Sequence, residues 1–321
     1  MIDIRSYIAR LDWQREPKGL YAPIGYALEG GGKRLRPTLA LLACELCGTE
    51  AEKAVPAALA LEVFHNFTLL HDDVMDHACV RRSRASVNKQ FGDNTAILSG
   101  DEMLIEAYKF LQSYEPELLA QLLQIFNKMA SQVCEGQQYD MDFETKDESE
   151  VSLDDYMLMI RLKTSVLLAA ALQMGALIGS GTKQQQEQLY EVGICLGLAF
   201  QIQDDVLDVY GDERTFGKAI GGDICEGKKT FLYLTARDKA SSADKKQLLQ
   251  AMALPSATLE ERQTKIREVT LLYNRLRARE DASKKIEQLT GQALELLTAF
   301  EDGPARQTLE TLARQLLERQ S

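Results

Sequence analysis

Two copies of one acidic pattern, Asp72-Asp73-Val74-Met75-Asp76 and Asp204-Asp205-Val206-Leu207-Asp208, each close a long apolar segment. In a helix the first and fifth residues of the pattern lie one turn apart on one face, about 6 Å along the axis, so their carboxylates can converge on one cation. Crowded carboxylates repel unless positive charge sits between them. Hard oxygen donors on a rigid helix suit Mg²⁺, which keeps water and shares phosphate oxygens, so the pattern implies a Mg²⁺-bound phosphate substrate. A single Asp-Asp pair is usually a solvated helix end; two copies at one spacing, both set in apolar helices, argue against that reading.

Cations accompany both patterns. Gly30-Gly31-Gly32-Lys33-Arg34-Leu35-Arg36-Pro37 places three glycines before a basic cluster. Glycine lets backbone amides approach an anion closely, while Lys and Arg supply charge-assisted hydrogen bonds to phosphate oxygens. The run is not a nucleotide P-loop, because the Gly-x-x-x-x-Gly-Lys-Ser/Thr spacing and a preceding strand are both missing. Arg81 and Arg82 follow the first acidic pattern, Lys163-Thr164 opens an apolar helix, and Lys218, Lys228 and Lys229 follow the second pattern. The three histidines, His65, His71 and His77, lie in or beside the first acidic helix. His65 reads as a phosphate donor ahead of a metal ligand, since carboxylates already suit Mg²⁺.

The elements that must position these groups read as helices. Helical apolar periods cover residues 38 to 48, 54 to 76, 95 to 112, 117 to 139, 153 to 180, 184 to 210 and 229 to 240. Pro37, Pro56, Pro116, Pro255 and Pro304 each stand where such a segment begins. No run of strict alternation or Asn-Gly hairpin signal appears, so a sheet is not expected. Residues 140 to 151 are polar and read as a surface connection. At 45% hydrophobic and 26% charged, the 321 residues can bury a large core as one all-helical domain, with peripheral amphipathic helices from about residue 236 that carry no catalytic groups.

A net charge of -11 argues against a nucleic-acid surface. No segment approaches about 18 uncharged apolar residues, so no transmembrane segment is expected, and the chain reads as soluble and cytoplasmic. Cys44, Cys47, Cys79, Cys134, Cys195 and Cys225 read as reduced, mostly buried thiols.

The chain resembles the head-to-tail trans-isoprenyl diphosphate synthases, or polyprenyl synthetase family, from about residue 25 to 235. The residues that carry the likeness are Gly31-Gly32-Lys33-Arg34-Leu35-Arg36-Pro37, Leu70-His71-Asp72-Asp73-Val74-Met75-Asp76, Arg81-Arg82, Gly100-Asp101, Lys163-Thr164, Phe200-Gln201-Ile202-Gln203-Asp204-Asp205-Val206-Leu207-Asp208, Gly217-Lys218, Gly222-Asp223 and Gly227-Lys228-Lys229-Thr230. The resemblance implies an all-α, isoprenoid-synthase-type helical bundle around a deep central cavity, usually homodimeric. It implies three Mg²⁺ ions, with Mn²⁺ as a substitute, bridging both Asp motifs and an allylic diphosphate. By that resemblance Asp72, Asp73, Asp76, Asp204, Asp205 and Asp208 form the metal site, partly through water. Lys33, Arg36, His65 and Arg82 fall where the family binds isopentenyl diphosphate. Arg81, Lys163, Lys218 and Lys228 fall where it binds the allylic diphosphate, with Thr164 and Gln201 beside the reacting carbons. One departure follows Arg81-Arg82, where the family continues Gly-x-Pro and this chain reads Ser83-Arg84-Ala85-Ser86.

Three rival readings are weaker. A terpene cyclase would share the fold and first Asp motif, but its second motif mixes Asn, Ser or Thr with Glu, and a second anion pocket would be superfluous. A phosphohydrolase using His65 and His71-Asp72 lacks further metal-binding histidines. A non-catalytic partner subunit would not need both Asp motifs intact.

Phe67 and Phe64 lie one turn and about two turns before Asp72, where a growing prenyl chain would run. Phe67 beside the smaller Thr68 resembles a short-chain synthase that makes farnesyl or geranylgeranyl diphosphate. Cavity floor and ordinary core both fit these two rings from sequence alone. If Phe67 is the floor, Phe67→Ala lengthens the product by at least another isoprene unit and costs on the order of 3 kcal/mol if the ring is also core. The product-length distribution of the folded variant, compared with the parent, checks this.

Overall fold

Apolar segments of helical period become helices almost wherever the sequence places them. The computed structural model describes residues 2–147, 150–212 and 220–317. In chain order the helices are α1 Ile4–Ile8, α2 Lys18–Glu29, α3 Leu35–Leu46, α4 Val55–Met75, α5 Val87–Phe91, α6 Asp93–Leu111, α7 Pro116–Thr145, α8 Leu153–Ile160, α9 Val166–Ile178, α10 Lys183–Tyr210, α11 Gly222–Glu226, α12 Phe231–Lys239, α13 Ser242–Met252, α14 Leu259–Arg275, α15 Ala278–Leu297 and α16 Pro304–Leu317. A π-helical turn, Arg161–Ser165, joins α8 to α9.

Proline and capping residues set the starts. Pro56 is the second residue of α4, and Pro116 and Pro304 are the first of α7 and α16. Pro255 differs from its expected role. It lies in the turn after α13, and α14 begins only after Thr258, whose side chain and that of Glu261 cap each other's backbone amides. Ser152 and Asp155 form the same box before α8. The supposed connection at 140 to 151 is shorter than its composition suggests, because α7 runs on to Thr145.

Contacts divide the chain into two compact units, each with its own core. The first comprises Met1–Lys128, Leu167–Tyr190 and Phe300–Leu309. In it α4 packs most extensively on α6 and then on α3, around buried Leu39, Leu42, Leu61, Phe64, Met103 and Phe126. Two glycines permit the closest approaches: a Cβ on Gly175 of α9 would sit 2.1 Å from the Ala40 carbonyl oxygen of α3, and one on Gly100 of α6 would sit 2.4 Å from the His71 ring of α4.

The second unit comprises Met129–Val166, Glu191–Ala299 and Glu310–Ser321. Its α12 is buried from Phe231 to Arg237 and packs on α8, α14 and α15. α15 buries Ala282, Ile286, Leu289, Ala293 and Leu297, spacings of three and four that line one face.

Two local expectations change, the absence of a sheet and the burial of the cysteines. A minimal hairpin does form: β1 Val80–Arg81 pairs antiparallel with β2 Arg84–Ala85. Its two turn residues, Arg82 and Ser83, have φ of 51° and 60°, so this turn adopts a left-handed geometry that favours Asn or Gly without the sequence signal for it. Leu153–Ile178 is long and apolar enough to cross a membrane by length and composition, but 67% of its apolar window is buried, as core helices are. Of the six cysteines only Cys44 is fully buried; Cys79 and Cys134 are exposed, and all six are free thiols.

Candidate active site

In the first unit, the glycine run is what lets a cation lie on the loop. Gly31 and Gly32 have φ of 78° and 113°, and a Cβ on Gly32 would sit 2.9 Å from the guanidinium carbon of Arg82. Arg82 donates to the Gly31 carbonyl oxygen. Arg36 Nη1 lies 3.0 Å from His65 Nε2. Because an arginine can only donate, Nε2 is the acceptor and the ring proton sits on Nδ1. Desolvation first, then the charges of Arg36, Arg82, Arg81 and Arg34, holds His65 well below its ordinary pKa, which keeps the ring neutral. Lys33 is exposed. The structure thus brings Arg36 of α3, His65 of α4 and Arg82 of the hairpin turn together beside the loop that carries Lys33.

The first acidic motif ends α4. Its second aspartate, Asp73, is 1% exposed, and its Oδ1 accepts from Arg81 Nε at 2.9 Å and from Arg81 Nη2. The hairpin that carries Arg81 is tied down by the Tyr26 hydroxyl, 2.8 Å from the Ala85 carbonyl oxygen, and just after it Asn88 Nδ2 of α5 donates to the Asp73 carbonyl oxygen at 3.1 Å. Asp72 is half-buried and Asp76 is exposed at the helix end. Phe64 is fully buried, its ring centroid 5.4 Å from Phe67 and 5.3 Å from Phe126. Phe67 is half-buried, 4.8 Å from the His71 ring, and Thr68 Oγ1 donates to the His65 carbonyl oxygen at 2.8 Å.

In the second unit, Asp205 is 4% exposed and accepts three hydrogen bonds, from the Tyr156 hydroxyl at 2.6 Å, the Phe231 amide at 3.1 Å and Gln201 Nε2 at 3.4 Å. Burial, with the Asp223 charge added, pushes its carboxyl up to about 8 despite these donors. Asp208 accepts from the Asp223 amide at 3.1 Å, and Asp204 is half-buried. Lys163 sits in the π turn with its Nζ 2.6 Å from Asp140 Oδ2, and Thr164 Oγ1 donates to Gln201 Oε1 at 3.1 Å. The turn fits because it lies against two glycines: a Cβ on Gly136 of α7 would sit 2.2 Å from the Lys163 amide nitrogen, and one on Gly197 of α10 would sit 2.4 Å from Ser165 Cα. π turns often mark functional positions. Lys228 pairs with Glu226 at 3.0 Å and Asp223 at 3.8 Å; burial opposes its charge, but Asp223, Glu226 and Asp140 outweigh it and hold its pKa above the ordinary value. Lys218 lies outside the described residues.

Sequence reasoning did not single out Tyr156 or Asp140, and it quoted Asp223 only within the Gly222-Asp223 motif. Asp140 had a signal, since it stands one helical turn after Gly136. Tyr156 had none, because only folding brings it to Asp205.

The fold is the all-α isoprenoid-synthase fold. A crystal structure of a geranylgeranyl pyrophosphate synthase superposes with a TM-score of 0.93 at 42% identity, covering 100% of each chain. A geranylgeranyl diphosphate synthase of Methanosarcina mazei is 39% identical over 256 residues, 79% of this chain and 76% of that one. A geranylgeranyl pyrophosphate synthase of Geoglobus acetivorans is 36% identical over 318 residues, 98% and 96% of the two chains. The family model for polyprenyl synthetases matches residues 17–270. The chain belongs to the polyprenyl synthetase family.

Tyr156→Phe removes a donor from a buried carboxylate and is expected to lower stability by about 1–3 kcal/mol. Tyr108→Phe, which loses an exposed bond to Asn127, should cost far less. Denaturant midpoints of the two variants test this, and equal losses would mean that the Tyr156 hydroxyl does not hold Asp205.

Proposed function

We propose that this chain is a trans-prenyltransferase that joins isopentenyl diphosphate head-to-tail to an allylic diphosphate and releases diphosphate. Its product is a short-chain all-trans prenyl diphosphate, geranylgeranyl ahead of farnesyl, a preference supported by the names of its relatives. The observation that carries the reading is the cluster of Arg36, neutral His65 and Arg82 beside the glycine loop of Lys33. It forms an anion site that uses no acidic motif, as a second diphosphate substrate requires. A terpene cyclase has one diphosphate to bind. The proposal places the enzyme in the cytoplasm, where its six thiols stay reduced.

The acidic residues fit Mg²⁺ by donor chemistry. Among the described residues, no group of three or more Asp, Glu, His or Cys side chains is gathered to hold an ion alone. The carboxylates of Asp72 and Asp76 in the first motif and of Asp204 in the second would each hold Mg²⁺ together with substrate oxygens and water, a usual arrangement for this ion. Asp73, Asp205 and Asp208 each accept a hydrogen bond from the protein, and they would act through water or by holding their neighbours. When bound, Mg²⁺ supplies positive charge to the diphosphate oxygens as the allylic C–O bond breaks.

By their motif positions Arg81, Lys163, Lys218 and Lys228 would add fixed charge at the allylic diphosphate. Asp140 orients the Lys163 ammonium, and the Thr164–Gln201 bond steadies two oxygens beside the reacting carbons. Lys33, Arg36, His65 and Arg82 hold isopentenyl diphosphate so that its double bond meets the allylic carbon, an entropic gain of orientation. The proton lost from the new chain goes to a diphosphate oxygen.

The proposal includes a homodimer formed through α6. Ile97, Leu98 and Ile105 on this helix are 41%, 59% and 50% exposed, and a second copy would cover them. Leu98→Glu should shift the sedimentation of the native chain from dimer to monomer; an unchanged dimer would place the interface elsewhere.

The deciding experiment incubates the purified chain with isopentenyl and farnesyl diphosphates. Geranylgeranyl diphosphate should form with Mg²⁺ or Mn²⁺, and turnover should stop in EDTA. Arg36→Ala should raise KM for isopentenyl diphosphate roughly tenfold and leave that for the allylic substrate near the parent value. An equal rise for both substrates would contradict the assignment.

A further inference from the structure

Arg34 stands inside the basic loop, but its side chain is buried. It is 8% exposed, and its backbone is left-handed, with φ 48° and ψ 41°, at the start of α3. Such a conformation is costly for a side chain with a Cβ. What holds it there is a fork of two donors: Nη1 to Glu62 Oε1 and Nη2 to the Leu28 carbonyl oxygen. Glu62, on α4, is 2% exposed, and its Oε1 also accepts from Asn66 Nδ2 at 3.0 Å. Asn66, itself 2% exposed, donates to the Glu62 carbonyl oxygen at 2.8 Å. His65, the partner of Arg36, lies between Glu62 and Asn66 on the same helix.

A buried ion pair seldom adds stability over an apolar pair of the same shape, so its presence here asks for another reason. The structure supplies one in the crowding of like charge. Arg82 is pushed below its ordinary pKa by burial and by the charges of Arg34 and Arg81; Glu62 and Asp73 act the other way, and Asp73 is already bonded to Arg81.

We propose that Glu62 and Arg34 are positioning residues for the isopentenyl diphosphate pocket: Glu62 is a fixed counter-charge that lets Lys33, Arg36 and Arg82 gather before substrate arrives, and Arg34 ties the loop to it. This rests on the proposed function for the identity of the substrate.

The test turns on a sign. Glu62→Gln keeps the shape and removes a negative charge close to an anion site. If Glu62 were only a nearby charge, binding of an anion would tighten. As a positioning residue, its loss weakens binding.

The probe is inorganic pyrophosphate, titrated calorimetrically into the full chain in EDTA, so that the acidic motifs take no part. Glu62→Gln should weaken binding roughly tenfold. In steady state the same variant should raise KM for isopentenyl diphosphate by a similar factor, with kcat and the allylic KM near parent values. Unchanged or tighter pyrophosphate binding in folded Glu62→Gln would overturn the proposal.

Where Glu62→Gln does not fold, the double variant Glu62→Gln/Arg34→Met leaves no orphaned charge. It should fold and still bind pyrophosphate weakly; parent-like binding would overturn the proposal. A parent chain that binds pyrophosphate but makes no prenyl product would remove the proposed activity and leave the role of the pair standing.

Discussion

Like charges brought close together must be held by fixed partners, and the site residues of this chain are arranged around that constraint. The middle carboxylate of each acidic motif is drawn inward. Asp73 is held by Arg81, and Asp205 by the Tyr156 hydroxyl, the Phe231 amide and Gln201. Asp72 and Asp76 then share one face of α4 with the carboxylate between them already matched. The cations follow the same rule: Lys163 has Asp140, Lys228 has Glu226 and Asp223, and Arg34 has Glu62.

The two middle aspartates solve the problem differently. Asp73 receives a full positive charge. Asp205 receives neutral donors in a buried setting, and burial with the nearby Asp223 charge pushes its carboxyl up to about 8. One sequence pattern therefore gives two electrostatic environments. What differs is the partner that the fold brings up: a hairpin arginine in one case, a tyrosine from α8 in the other.

Glycines give these partners room. Gly32 lets the Arg82 guanidinium lie on the loop backbone, and Gly136 lets α7 touch the π turn that carries Lys163. At each position a Cβ would sit closer than real contacts allow, so a substitution would displace Arg82 or the turn that carries Lys163. The π turn itself has no sequence signal. It is set by packing between Gly136 and Gly197, not by the propensities of Arg161–Ser165.

Much of the architecture was legible in the sequence, because helices are local. Periodic apolar residues, prolines at first turns and capping pairs such as Ser152 with Asp155 act within a few residues of one another. The acidic repeats and the glycine-basic run were legible for the same reason, their chemistry being written in short spacings. Partner choice was decided only in three dimensions. Nothing in the order of residues says that Tyr156 meets Asp205 or that Arg34 turns inward to Glu62. Nor does it say that Arg82 and Ser83 take a left-handed turn. Those pairings join positions far apart in the chain, or force a backbone away from its local preference, and both depend on the packing of distant segments that no short window of sequence contains.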